Sequence, residues 1–164
     1  TIMGEIKQRI RVMLIGYVLH GALLIAYGIA QQPIYLGLSI FFAMLPLPFN
    51  GALFSTFLQN KTPHHIQGRV FAVTGQLFTL TTPFSFLITA FLVDNILEPA
   101  VTTAAWQPVA PLVGDTEGAG MGLVMVSVGA IIVIATLFML LWKPIRSLED
   151  DMPDVELIAE ASTR

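Results

Sequence analysis

The sequence predicts an all-α integral membrane protein with four transmembrane helices. Hydrophobic residues make up 55% of the 164 residues and charged residues only 12%, and the mean hydropathy is +0.76. Soluble domains carry about 25% charged residues. Three segments contain no Lys, Arg, Asp or Glu: residues 12–60, 70–93 and 118–142. Because one helical crossing needs about 20 apolar residues, these segments accommodate two, one and one crossings. The composition excludes a disordered chain and a nucleic-acid-binding module.

The four spans are predicted at residues 12–30, 34–58, 70–93 and 118–142. Their backbones must be helical, because unpaired amides are too costly in lipid. The Gln-Gln-Pro of residues 31–33 ends the first span, since proline does not continue a helix. Proline can kink a helix, at Pro46 and Pro48 in the second span and at Pro83 in the third.

Three polar segments flank or separate the spans. Residues 1–11 form a basic loop, residues 94–117 form a loop rich in Pro and Thr, and residues 143–164 form an acidic tail. With four spans, all eight basic residues fall on one side of the membrane: Lys7, Arg9, Arg11, Lys61, Arg69, Lys143, Arg146 and Arg164. The positive-inside rule makes that side cytoplasmic, so both ends of the segment are expected in the cytoplasm and residues 94–117 outside it.

Helical periodicity predicts that the second and third spans face a cavity. The second span aligns Ser39, Ala43, Pro46, Asn50 and Phe54. The third aligns a hydroxyl stripe, defined as Thr74, Thr81, Thr82, Ser85 and Thr89. The first and fourth spans are plainer and are interpreted as supporting helices. The fourth carries small residues suited to close helix packing: Gly118, Gly122 and Gly129.

Several of these polar residues have two interpretations. Thr and Ser in membrane helices often bond to their own backbone, so the hydroxyl stripe either lines a substrate path or satisfies its own helix. Asn50 either bonds a neighbouring helix or contacts substrate, since a buried amide needs a partner. His20 is either part of a proton relay or a neutral side chain satisfied by a neighbour.

The connection between the second and third spans is expected to order the cytoplasmic surface. Pro63 ends the preceding helix, and Gly68 permits a tight turn before Arg69. Arg69 then either latches one state of a transport cycle or serves as an ordinary anchor to lipid phosphates.

This connection carries the most specific motif of the chain. Residues 59–72 read Gln-Asn-Lys-Thr-Pro-His-His-Ile-Gln-Gly-Arg-Val-Phe-Ala, and residues 94–99 read Asp-Asn-Ile-Leu-Glu-Pro. They resemble the Q-x-x-x-P-x-x-x-Q-G-R-V-F-A and D-x-x-x-E-P segments of major facilitator superfamily (MFS) exporters, in the macrolide-efflux and enterobactin-exporter-like branch. Residues 4–11 and 144–154 resemble the loop before helix 9 and the tail after helix 12 in that branch.

The resemblance implies that the chain is a C-terminal fragment of a 12-helix MFS carrier and provides helices 9–12. It implies export of small amphipathic molecules by alternating access, driven by an ion gradient. Helices 10 and 11 would line the path, through Asn50, Thr74, Thr81, Thr82 and Ser85. The gating loop would contain Pro63, Gln67, Gly68 and Arg69. The expected partners are the lipid bilayer, helices 1–8 of the same carrier and the small-molecule substrate.

Enzymatic and metal chemistry are not expected. The chain has no Cys, and the adjacent His64 and His65 would point about 100° apart on a helix, which is poor geometry for one ion. No cofactor motif or nucleophile elbow occurs. The acids of residues 150–154 have the spacing of a diphosphate-binding motif but lie in a generally acidic tail. A membrane enzyme is therefore the weakest of three hypotheses, after the transporter and the one that follows. The second is a four-span assembly or scaffold subunit without transport activity.

Overall fold

The computed structural model describes residues 2–142, with side chains from residue 11 onward, and this part of the chain contains helices and turns but no strand. Its α-helices are α1 (Ile2–Ile29), α2 (Pro33–Met44), α3 (Pro46–Lys61), α4 (His64–Leu92), α5 (Glu98–Val101), α6 (Ala110–Val113) and α7 (Ala119–Leu141). The acidic tail predicted at residues 143–164 lies outside the described residues. Residues 1–11 were predicted to form a basic loop, but from Ile2 onward they belong to helix α1.

Four segments are long and apolar enough to cross a membrane: Arg11–Ile29, Pro33–Lys61, His64–Val101 and Ala119–Leu141. The fold is therefore all-α, with four candidate membrane spans. The third segment differs from the expected residues 70–93, because its helix already begins at His64 and its helical backbone continues beyond Val93.

The second segment is two helices, α2 and α3, that meet at Leu45. The Leu45 N–H bonds the carbonyl of Phe42, three residues earlier, at 3.3 Å. Pro46 has no amide hydrogen to continue the i→i−4 pattern, so the α-helical ladder is interrupted here. Leu45 nevertheless keeps right-handed helical angles (φ −62°, ψ −43°), so the backbone remains helical from α2 into α3. By contrast, α4 passes through Pro83 without ending.

A π-helical turn, Val93–Leu97, follows α4. Within it the Glu98 N–H bonds the carbonyl of Val93, five residues earlier. Pro99 explains the wider turn, because its ring would clash with the carbonyl of Asn95 and cannot donate a hydrogen bond to it. The turn leads into α5, which contacts α7.

Helix α1 is the centre of the packing. It runs antiparallel to α7, since Gly21 lies beside Gly129 and Gly28 beside Gly122. On another side it packs against both α2 and α3. Helix α4 lies largely apart from this group, and only 6% of its span is buried within the described residues.

The connection before α7 has a small core of its own. Trp106 is 4% exposed and packs with Val113 and Ala119. Its indole Nε1–H donates to the carbonyl of Gly114 at 2.8 Å. Gly114 has φ +88°, a conformation that a residue with a side chain rarely adopts. The expected extracytoplasmic loop is therefore a folded cap over the start of α7.

Candidate functional site

The hydroxyl stripe of α4 bonds to its own helix. Four of its five hydroxyls donate to the carbonyl four residues earlier, at 2.7–3.0 Å. The donors are Thr74, Thr81, Thr82 and Ser85, and the acceptors are the carbonyls of Val70, Leu77, Phe78 and Thr81. These four hydroxyl protons are therefore satisfied within the helix itself. Thr81, Thr82 and Ser85 are nevertheless exposed. Their oxygens can therefore accept a hydrogen bond from another group while their protons bond the helix backbone.

The polar face of the second span has a different environment from the one expected. Ala43, Pro46 and Asn50 are all buried, and α2 and α3 turn this face toward α1. Asn50 is 3% exposed and its amide lies over Gly16, where an added Cβ would be 2.5 Å from Oδ1. Glycine at position 16 leaves space for the amide within the α1–α3 interface. Whether the rest of this face lines a substrate path stays a prediction.

Asn50 packs against α1, and a substrate contact at this residue stays a prediction. Its Nδ2 has no hydrogen-bond partner among the described residues. An unpaired amide donor in a buried site is unfavourable. The close fit to Gly16 explains why the side chain lies here, although no acceptor for its N–H occurs in residues 11–142.

His20 connects α1 to the break in the second span. Its Nδ1 lies 2.7 Å from the carbonyl oxygen of Ala43, and both residues are buried. A carbonyl oxygen only accepts hydrogen bonds, so Nδ1 carries the proton and donates. Ala43 belongs to the last turn of α2, where helix carbonyls lose their internal partners. Of the two interpretations, the structure supports a histidine satisfied by a neighbouring helix.

Gln67 closes the turn between α3 and α4. Its Nε2 donates to the carbonyl of Gln59 at 2.9 Å and to that of Thr62 at 3.1 Å. Both carbonyls lie at the end of α3, where the regular i→i−4 donors end, and the Gln59 carbonyl also accepts the Thr62 N–H at 3.4 Å. Pro63 has an extended conformation (φ −55°, ψ 138°) and precedes the first residue of α4. The two residues therefore define a compact helix-to-helix connection.

Gly68 does not form the expected tight turn. Helix α4 begins at His64, so Gly68 lies inside it, and an added Cβ would meet nothing within 4 Å. The turn needs no glycine because Pro63 and Gln67 already complete it. Arg69 lies exposed on the same helix. Its role as a latch or a lipid anchor stays a prediction.

Two pairs of glycines form the contact between α1 and α7, which we call the glycine seam: Gly21 with Gly129, and Gly28 with Gly122. An added Cβ at Gly129 would lie 2.5 Å from the Gly21 carbonyl oxygen, and one at Gly122 would lie 2.8 Å from that of Gly28. Backbone therefore touches backbone at two levels, seven residues apart on each helix. Such contacts require the absence of a side chain.

Gly118 is not part of the seam, contrary to the sequence prediction. It precedes α7 with φ +94°, and an added Cβ would meet nothing within 4 Å. Its left-handed backbone explains the glycine here. The predicted alignment with Gly122 and Gly129 assumed a helix that begins one residue earlier than α7 does.

Glu98 caps the start of α7 and was not singled out as a site residue from the sequence. Its Oε1 accepts the Gly120 N–H at 3.0 Å, and its Oε2 accepts the Gly118 N–H at 3.3 Å. These amides belong to the first turn, which has no internal acceptors, and a carboxylate also complements the helix dipole. The Asp-x-x-x-Glu-Pro pattern contained the signal, but only the fold brings Glu98 to α7.

Replacing Glu98 with alanine is expected to destabilise the first turn of α7 by about 1–2 kcal/mol, because two backbone donors lose their acceptor. Hydrogen exchange of the amides in residues 118–123 should become faster. Asp94→Ala is the matched control, since Asp94 is an exposed carboxylate four residues earlier. Unchanged exchange in the Glu98 variant, or an equal change in both variants, would contradict the capping role.

Metal ligands are not brought together. Among the described residues, no group of three His, Cys, Asp or Glu side chains lies close enough to hold an ion. His64 and His65 are both exposed at the start of α4.

Comparison of the chain with models of protein families, with curated proteins and with solved structures finds no match. The residues themselves are therefore the basis for a functional proposal.

Proposed function

We propose that this chain is the C-terminal part of an MFS-type secondary transporter that exports small amphipathic molecules by alternating access. The observation that carries the proposal is α4. It is a membrane-length helix with a hydroxyl stripe, and only 6% of its span is covered by the described residues. A helix of this kind fits a place beside further helices and a polar path.

The remaining helices fit a packing role, in contrast to α4. Helices α1, α3 and α7 are joined by the glycine seam and by the Asn50–Gly16 contact. In the proposed carrier they correspond to helices 9, 10 and 12, while α4 corresponds to helix 11. Because Asn50 faces α1, the path residues contributed by this chain are those of the hydroxyl stripe, and α3 contributes less than the resemblance implies.

The proposed location is the plasma or inner membrane, with Lys61 and Arg69 on the cytoplasmic side. The turn held by Gln67 would then face the cytoplasm, and the Trp106 cap would face outward. No Asp or Glu occurs in residues 12–93 or 118–142. If a proton gradient drives export, the membrane carboxylate that carries the proton is therefore contributed by helices 1–8.

An efflux assay tests the proposal. We expect the native gene that encodes this segment, expressed in cells lacking their own efflux pumps, to lower the accumulation of a fluorescent amphipathic dye. A protonophore should restore accumulation, because no phosphate-binding loop for ATP occurs in the chain. An antibody against residues 143–164 measures the expressed size, which should be about three times 17.9 kDa for twelve spans.

Two results would contradict the proposal. One is unchanged dye accumulation although the protein is present in the membrane. The other is a band near 17.9 kDa in native membranes. That size would favour a four-span assembly subunit, in which the uncovered surface of α4 binds a partner protein.

A further inference from the structure

The amide of Asn50 is an unpaired hydrogen-bond donor inside the interface between α1 and α3. Its side chain is 3% exposed, and its Nδ2 has no partner among the described residues. Removing an amide donor from water without a hydrogen bond costs free energy. Buried polar groups that lack a protein partner commonly bond an ordered water molecule instead. Whatever satisfies Nδ2 must be a hydrogen-bond acceptor.

His20 provides an acceptor on the same face of α1. In a neutral imidazole one ring nitrogen donates a hydrogen bond and the other accepts one. Because Nδ1 donates to the Ala43 carbonyl at 2.7 Å, Nε2 carries the lone pair. The side chain of His20 is buried as well. The interface therefore contains a donor on α3 and an acceptor on α1 that are both suited to a further partner.

The two groups lie one helical turn apart. The Asn50 amide lies over Gly16, and His20 is four residues further along α1. Positions four apart share a face and are separated by about 6 Å along the helix axis. Two consecutive hydrogen bonds of about 2.9 Å span a similar distance. One small molecule placed between the helices can therefore contact both groups.

Only a molecule that both accepts and donates hydrogen bonds matches this pair, and water does both. A chloride ion would accept from Asn50 but has no proton for Nε2 of His20. An ammonium ion would donate to Nε2 but has no lone pair for Nδ2. No Lys, Arg, Asp or Glu occurs in residues 12–60, so these helices also provide no opposite charge for a buried ion.

We propose that one bound water molecule bridges Asn50 and His20. Nδ2 of Asn50 donates to the water oxygen, and the water donates one proton to Nε2 of His20. His20 is also bonded to Ala43 in α2, whereas Asn50 belongs to α3. The water therefore connects, through α1, the two helices that meet at Leu45, where the backbone ladder between them is interrupted.

Solid-state NMR of the full-length protein in liposomes tests the proposal and requires no transport activity. With ¹⁵N in the asparagine and histidine side chains, magnetisation from water protons should reach Nδ2 of Asn50 and Nε2 of His20, although both residues are buried. The resonances are assigned by their disappearance in Asn50→Leu and His20→Gln. Asn50→Leu should also remove the water signal at Nε2 and keep the Nδ1–H resonance of His20, because the bond to Ala43 remains.

Asn60→Leu is the matched control, because Asn60 is an exposed amide on the same helix α3. This variant should leave the water signals of Asn50 and His20 unchanged. Retention of the Nε2 water signal in Asn50→Leu would overturn the bridge. If Asn50→Leu does not fold, the unaltered protein is sufficient, since absence of water transfer to its Asn50 amide would overturn the proposal. So would a shift of the Asn50 resonance when gluconate replaces chloride, because the bound species would then be an anion.

Discussion

Replacing Gly28 with alanine is expected to separate α1 from α7 and to destabilise the protein by about 3 kcal/mol. The new methyl group would overlap the carbonyl oxygen of Gly122, which belongs to the helix backbone and cannot rotate away. One helix must therefore shift, and the contacts along the rest of the glycine seam are lost with it. Purified protein in mild detergent should unfold at a lower mole fraction of sodium dodecyl sulfate, followed by circular dichroism.

Gly75→Ala is the control for this experiment. Gly75 also lies within a candidate membrane span, but an added Cβ there meets nothing within 4 Å. Alanine is the better helix former by up to about 1 kcal/mol, so this variant should be neutral or slightly more stable. If the Gly28 variant unfolds at the same point as the Gly75 variant, the close approach of α1 and α7 is contradicted.

The opposing glycine gives a second check on the same contact. Gly122→Ala alone should be destabilising, since its Cβ would lie 2.8 Å from the Gly28 carbonyl oxygen. In the double variant the helices are already apart, so the second methyl group should add little. Strong non-additivity is the signature of two residues that share one contact. Full additivity would indicate that each substitution acts elsewhere.

Replacing His20 with leucine is expected to cost about 2 kcal/mol, because the Ala43 carbonyl loses its donor inside an apolar environment. Leucine fills similar space without offering an N–H. The carbonyl lies in the last turn of α2, next to Pro46, where the regular helical ladder ends. The same detergent titration measures the loss.

Two further variants separate the hydrogen bond from the bulk of the ring. His20→Gln keeps an N–H donor and should recover more than half of the lost stability. His64→Leu changes an exposed histidine at the start of α4 and should have little effect. Equal stability of the leucine and glutamine variants at position 20 would show that packing, and not the bond to Ala43, is what His20 contributes.

The four candidate membrane spans could be predicted from the sequence because their hydrophobic length depends on composition alone. The interruption at Pro46 was equally accessible, since proline lacks the required amide hydrogen. The π-helical turn was not expected, although Pro99 provides a comparable cause. Its outcome depends on how α5 packs against α7, which no local pattern contains.

The partners of the polar residues could not be predicted. The polar face of the second span, which contains Ala43 and Asn50, was found from helical periodicity. Periodicity does not say which helix packs against that face. Gly16 receives Asn50 across more than thirty residues of sequence. A usable signal did exist for the glycine seam, since Gly21 and Gly28 have the same spacing of seven residues as Gly122 and Gly129.

The attachment of α4 has a mechanical consequence. Gln67 bonds the first turns of α4 to the end of α3, and Glu98, which follows α4, bonds the start of α7. Between these two points the helix has few contacts with the rest of the described residues. A helix that is held at both ends bends most easily where an i→i−4 backbone hydrogen bond is missing. In α4 that point is Pro83, which provides no amide hydrogen to the Thr79 carbonyl. Bowing at Pro83 displaces Thr81, Thr82 and Ser85 sideways while both supports stay in place.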